Sequence, residues 1–172
     1  MTRGIRKEVW YPDAPETVWV ALTDPRAIAE WLMPNTFKPI VGHRFQFRTD
    51  PMPMCENHTE CEVLEVDPPR RLSYSWLIVW NKEYARKPEP MIVSWTLTPE
   101  RTGTRLVFEQ TPYVGPRAFW TRFSMNMGWG IMHKKWLRTV MANVKNGQFT
   151  PGAVPLEKRC YKAATIPSEY IR

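Results

Sequence analysis

Residues 116–146, PRAFWTRFSMNMGWGIMHKKWLRTVMANVKN, place apolar side chains at the period of a helix. Trp129, Met132, Trp136, Val140 and Val144 fall three or four positions apart and share one stripe, while Lys134, Lys135, Arg138 and Lys145 mark the wet side. Pro116 suits a first helical turn and Gly147 suits a C-cap, so the spacing predicts one long helix over 116–146. From Gln148 to Arg172, with Pro151, Pro155 and Pro167, the chain reads as an irregular tail. The expected organisation is one domain over 1–147 and a tail over 148–172.

Ahead of this helix the period is two. Phe45 and Phe47 alternate with Arg44, Gln46 and Arg48, which is the pattern of a half-buried strand. Pro51 and Pro53 interrupt it, and pairing is expected to resume over Glu60–Val66 before the turn at Asp67-Pro68-Pro69. Leu72, Tyr74, Trp76 and Ile78 form the inner side of the next strand. After a polar loop from Asn81 to Pro90, Met91, Val93, Trp95 and Leu97 form another, and Leu106 and Phe108 continue it across the turn from Pro99 to Gly103. At the N-terminus Ile5, Val9 and Tyr11 share one side of an edge strand that Lys7 interrupts. Two short helices follow. The first opens with Asp13 and Glu16 in the spacing of a capping box and carries Val18, Trp19 and Leu22; the second carries Ile28, Trp31 and Leu32 and stops before Pro34. A run of antiparallel strands followed by a single amphipathic helix must curl around that helix for both apolar faces to be buried, so the fold class is α+β, a curved antiparallel sheet wrapped around a long C-terminal helix.

The composition limits the function. A chain of 172 residues fits one domain, and nine Trp and nine Met supply large, adaptable side chains for an interior. The net charge of +7 comes from Lys and Arg spread from Arg3 to Arg172, not from one tract, which argues against specific nucleic-acid recognition. Cys55, Cys61 and Cys160 are odd in number, Met1–Trp10 has no apolar signal core, and no run reaches the ~18 apolar residues of a membrane span, so a soluble, cytoplasmic protein is expected. The sequon at Asn57-His58-Thr59 is read as accidental.

Several stretches resemble the START-like superfamily, also called SRPBCC or Bet v 1-like, and within it proteins akin to the C-terminal domain of the activator of heat-shock protein 90 ATPase. The resemblance rests on Ala14-Pro15-Glu16-Thr17-Val18-Trp19, Leu22-Thr23-Asp24-Pro25, Trp31-Leu32, the segment Glu62–Leu72 with Trp76, and Gly128-Trp129, in that order. It implies the helix-grip fold, with a cavity between sheet and helix that holds small apolar molecules. Two departures stand out: Cys61 where the family often has glycine, and Gly42-His43 where it often has a glycine pair. Gly130 adds a second glycine beside Trp129.

No phosphate loop, nucleophile elbow or His-Glu-x-x-His motif is present, so no catalytic set and no cofactor is assigned. Cys55, His58 and Cys61, with His43 as a fourth group, have a spacing that could suggest a metal; strand alternation argues against it, and no metal is expected. His133 and Glu109 are the one acid–base combination that a cyclase- or hydratase-like enzyme could use. The residues expected to line a ligand site are Phe45, Phe47, Tyr74, Trp76, Trp95, Leu97, Phe108, Trp129, Met132, His133 and Trp136, with Trp76, Trp95 and Trp129 sharing one pocket. The same aromatic residues also suit a closed core, and the residues alone leave both readings open. The expectation is non-catalytic binding of a small hydrophobic molecule, with a chaperone-linked interaction module as the alternative implied by the resemblance.

Overall fold

Alternating strands and proline-started helices set the architecture of the computed structural model, which describes residues 4–49, 55–80, 90–115 and 117–159. Pro51 and Pro53, the loop 81–89, Cys160 and the tail beyond it lie outside the described residues. Strands β1 (Ile5–Tyr11), β2 (Arg44–Arg48), β3 (Cys55–Asp67), β4 (Arg71–Trp80), β5 (Met91–Glu100) and β6 (Gly103–Thr111) form one antiparallel sheet in the order β1-β6-β5-β4-β3-β2. β1 is an edge strand, as its interrupted pattern predicts. β3 begins at Cys55, earlier than the expected Glu60, and its register against β4 shifts between Cys55 and Thr59 and again between Val63 and Glu65. Such irregularities bend a strand and help the sheet to curve.

The connection between β5 and β6 shows how sequence closes a turn. Glu100 pairs with Gly103 around Arg101, whose φ is +55°. A Cβ at Gly103 would overlap the Tyr11 carbonyl oxygen and lie 2.9 Å from the Trp10 ring, so only glycine lets β1 pass this close.

Helices α1 (Pro15–Thr23) and α2 (Pro25–Trp31) follow β1. The capping box at Asp13 does not form. Pro15 takes the first helical position, which makes Ala14 the cap, and Ala14 has no side-chain acceptor to offer. Asp24 does cap α2: its carboxylate accepts the Arg26 backbone N–H at 2.9 Å and pairs with the Arg26 guanidinium at 2.7 Å. The Trp31 indole N–H donates to the Ala21 carbonyl at 2.9 Å and ties the two helices together.

The long helix is real but shorter and less regular than its sequence period predicts. It runs as α3 (Ala118–Ile131), a π-helical turn (Met132–Trp136) and α4 (Leu137–Met141). Val144, expected on the helical stripe, belongs instead to β7 (Val144–Lys145), which pairs with β8 (Gln148–Phe149). The turn between them is Asn146-Gly147, with φ of +51° and +73°. Two successive positive φ values are what an Asn-Gly hairpin turn requires, so Gly147 closes a hairpin and does not cap the helix. The segment expected to be irregular from Gln148 onward therefore begins with a strand. Phe149 and Val154 enter the core, and the buried Glu30 carboxylate accepts the backbone N–H groups of Gly152 at 2.7 Å and Val154 at 2.8 Å. Sheet, short helices and long helix together make the α+β helix-grip fold.

Candidate functional site

The inner side of the sheet faces the helix. Alternation puts Phe45, Phe47, Tyr74, Trp76, Trp95, Leu97 and Phe108 on that side, all buried, and the helix brings Trp129, Met132 and His133 against them. Trp76, Trp95 and Trp129 lie close together: the Trp129 ring is 5.6 Å from Trp76, 6.1 Å from Trp95 and 4.5 Å from Phe108, centroid to centroid. On the far side of this cluster Tyr74 joins Phe45 at 5.2 Å and Trp95 at 5.0 Å. Edge-to-face and tilted contacts of this kind are the arrangements that large rings prefer.

Trp136 departs from its expected place. The π turn inserts one residue into the helical phase, so the inward positions run Trp129, Met132, His133, Leu137 and Val140. Trp136 is left half-buried under the Lys135 ammonium, 4.3 Å from its ring centroid. His133, which a regular helix would hold at the boundary, is buried between Phe108 at 4.9 Å, Trp129 at 5.5 Å and Trp31 at 6.2 Å. Its backbone carbonyl accepts the Tyr11 hydroxyl at 2.8 Å, which ties the turn to β1. Burial, followed by the charge of Lys7, lowers the His133 pKa to about 3, so the imidazole is neutral at pH 7.

The interior is not wholly apolar. Gln110, next inward after Phe108 on β6, is fully buried, and its Oε1 accepts both the Trp129 indole N–H and the Tyr113 hydroxyl at 2.7 Å. Gln110 Nε2, the indole nitrogens of Trp76 and Trp95, and both ring nitrogens of His133 are buried without a hydrogen-bond partner among the described residues. Several unpartnered polar atoms around one aromatic cluster are uncommon in a native interior, where the great majority are satisfied. The chemistry of Glu109 points to it as the acid–base group, but the period-two signal that places Phe108 inward places Gln110 there too and turns Glu109 outward.

Glu109 cannot serve as the acid–base partner of His133. It lies on the outer side of β6, about half exposed, and its carboxylate is 3.6 Å from the Arg6 guanidinium. A pairing of His133 with Glu109 would need a carboxylate on the same side of the sheet as the imidazole. Two of the metal-spaced residues separate in the same way, and the Cys55 side chain lies outside the described residues. Cys61 faces inward and its thiol pKa is pushed up by burial, whereas His58, three residues away on the strand, faces outward toward Glu60 at 3.7 Å. The His43 ring nitrogen Nε2 hydrogen-bonds the Thr36 carbonyl at 2.9 Å. Among the described residues no three His, Cys, Asp or Glu side chains converge as metal ligands.

Lys7, the residue that breaks the apolar side of β1, sits on the inner side of its strand against the helix. Its ammonium lies beside Gly130, 3.6 Å from where a Cβ would stand, which is an ordinary contact distance. Partial burial and then the charge of Lys134 lower the Lys7 pKa.

Comparison with known proteins places this geometry. No curated protein matches the chain in sequence. Among solved structures, protein MLL2253 of Mesorhizobium loti is 37% identical, with 79% of this chain and 95% of that one covered at a TM-score of 0.68. Protein BH1534 of Bacillus halodurans is 26% identical over 80% of this chain and 97% of that one, with a TM-score of 0.61. The Aha1 dimer of Colwellia psychrerythraea, at 16% identity, shares the fold over 84% of this chain and 98% of its own, with a TM-score of 0.62. The model of the family described as activator of Hsp90 ATPase homolog 1-like protein matches residues 13–142, from α1 through the end of the long helix, and the chain belongs to that family.

Proposed function

We propose that this protein binds a small, mostly apolar molecule between the inner side of the sheet and the long helix, without catalysing its conversion. The observation that carries the reading is the set of unpartnered polar atoms on Trp76, Trp95, Gln110 and His133 within an aromatic enclosure. A closed core gains nothing from three N–H donors and a neutral imidazole left without partners, because each costs about 1–3 kcal/mol when unmet. A ligand with an aromatic or alicyclic body and one or two acceptor oxygens would satisfy these donors while its body packs on Trp95, Phe108 and Trp129. With Glu109 on the outer side, His133 has no carboxylate partner among the described residues, which favours binding over proton transfer. The free, buried Cys61 thiol suits a reducing compartment, and we place the protein in the cytoplasm.

Native mass spectrometry of the gently purified protein tests the reading, together with a thermal-shift panel of apolar ligands that carry carbonyl or phenol groups. A carried compound, or a shift that Trp129→Ala abolishes, is the expected result. No adduct and no shift across the panel would remove the proposal. Truncating Trp129 also separates an occupied site from a packed core. A destabilisation well under the ~3–5 kcal/mol of emptying a packed Trp position supports a site, and the full penalty supports a closed core.

Family membership favours a second reading, a chaperone-linked interaction module. Pull-down of a heat-shock ATPase with stimulation of its turnover would support it, and failure of both would count against it.

A further inference from the structure

Helix α3 gives one side to the core and leaves the other bare. Trp129 points inward, and Met125 and Ala118 pack beside it. On the opposite side Phe119, Trp120, Phe123, Met127 and Ile131 are 58%, 70%, 52%, 55% and 54% exposed. From Phe119 to Ile131 this stripe is about 18 Å long at 1.5 Å per residue. Five large apolar side chains on one contiguous helical face form a patch of the kind that marks an interaction site, whereas single exposed apolar residues do not.

The charge around the stripe says what covers it. Between Glu109 and Glu157 the sequence contains no Asp or Glu, while Arg117, Arg122, Lys134, Lys135, Arg138 and Lys145 fall in the same interval. Exposed Lys134 and Lys135 follow the stripe at its C-terminal end, exposed Arg117 precedes it, and Lys7 lies against Gly130 beside it. A second copy of the chain seated stripe to stripe would set these cations against each other with no carboxylate on either helix to offset them. A surface that is apolar within and anionic at its boundary fits both features: aromatic and branched side chains enter the headgroup–acyl boundary while ammonium groups meet the phosphates.

We propose that the exposed side of α3 is a docking element for an anionic lipid bilayer, with Phe119, Trp120, Phe123, Met127 and Ile131 seated in the interface and Lys134 and Lys135 against the headgroups. The helix lies in the plane of the interface and does not cross it; none of the helices among the described residues is long and apolar enough to span a membrane. Tryptophan and phenylalanine are suited to that depth, and lysine is suited to its border. The proposal does not depend on the interior site holding a ligand.

Co-sedimentation of the full chain with extruded vesicles tests it. Mixed phosphatidylcholine and phosphatidylserine vesicles should pellet the protein at low ionic strength, pure phosphatidylcholine vesicles should do so at least about tenfold less well, and added salt should release it. Trp120→Ser combined with Phe123→Ser, and separately Lys134→Glu combined with Lys135→Glu, should each reduce binding to the mixed vesicles by about tenfold or more. All four side chains are exposed or near-surface, and an unchanged circular dichroism spectrum and melting temperature would show that the fold is intact. Absence of pelleting, equal binding to both vesicle types, or binding unaffected by either pair of substitutions would overturn the proposal. So would a dimer, or a captured chaperone, that the Trp120→Ser and Phe123→Ser pair dissociates in the absence of vesicle binding.

Discussion

Lowering the pH should selectively weaken this protein through His133. The imidazole is buried among Trp31, Phe108 and Trp129, and its pKa is lowered from 6.5 to about 3 by burial and then by Lys7. Because the folded-state value lies below the unfolded one, the contribution of neutral His133 is fully present above pH 6.5 and is lost as the pH falls toward 3, where the unfolded chain binds a proton that the folded one refuses. Below about pH 6.5 the slope approaches about 1.4 kcal/mol per pH unit, so moving from about pH 7.5 to about pH 4.5, of which about two units lie below 6.5, removes about 3 kcal/mol. Paired carboxylates also titrate over this range, so the measurement is a difference. Urea unfolding of the wild type and of His133→Leu, which keeps the volume but cannot titrate, is compared at both pH values. The wild type should lose about 3 kcal/mol more than the variant. A stability difference that stays constant across the range would mean that the imidazole takes up its proton at the same pH in the folded and unfolded states, and the account of its burial would fail.

Two further outcomes follow from buried polar bonds. Gln110→Leu strands the Trp129 indole N–H and leaves the Tyr113 hydroxyl only the Met125 sulfur at 3.5 Å, so unfolding free energy should drop by about 1–3 kcal/mol, and a loss near zero by denaturant titration would show that neither bond matters. Glu30→Ala removes the acceptor shared by the Gly152 and Val154 N–H groups and leaves the Arg159 guanidinium, now 3.3 Å from it, without that partner. Hydrogen exchange at those two amides should accelerate while the β5–β6 amides stay protected, and uniform acceleration would place the effect elsewhere.

Much of this was legible in the sequence because burial writes itself as a period. Phe45 and Phe47, Tyr74 and Trp76, and Trp95 and Leu97 each sit two apart, and a strand with one dry side has no other way to arrange them. The same rule identifies Gln110, but a polar residue does not show in a count of apolar ones, and Glu109 drew attention for its chemistry even though the alternation turns it outward. Asn146-Gly147 is ambiguous in sequence for a different reason. Glycine after an amphipathic run suits a helix cap as well as a hairpin turn, and only the positive φ of the preceding asparagine separates the two. Asp13 had the right spacing to Glu16 for a cap, yet Pro15 starts the helix one residue too late to use it.

The helix shows most clearly where a periodic reading must end. A strict 3.6-residue repeat through Trp129 and Met132 selects Trp136 as the next inward residue and leaves His133 at the boundary. The π turn at Met132–Trp136 adds a residue to that repeat, so Met132 and His133 both turn inward and Trp136 moves to the margin. The exchange is unfavourable by itself, since an indole suits the interior better than an imidazole with two unpartnered nitrogens. The Tyr11 hydroxyl on the His133 carbonyl holds the turn in place, and Leu137, Val140 and Met141 resume the helix against α1 and α2. A local departure that brings a polar ring into the core, beside the unpartnered Gln110 Nε2 and two unpartnered indole nitrogens, is the pattern expected where function has overridden packing. The sequence cannot announce it, because the same letters read as a regular helix until the π turn is seen.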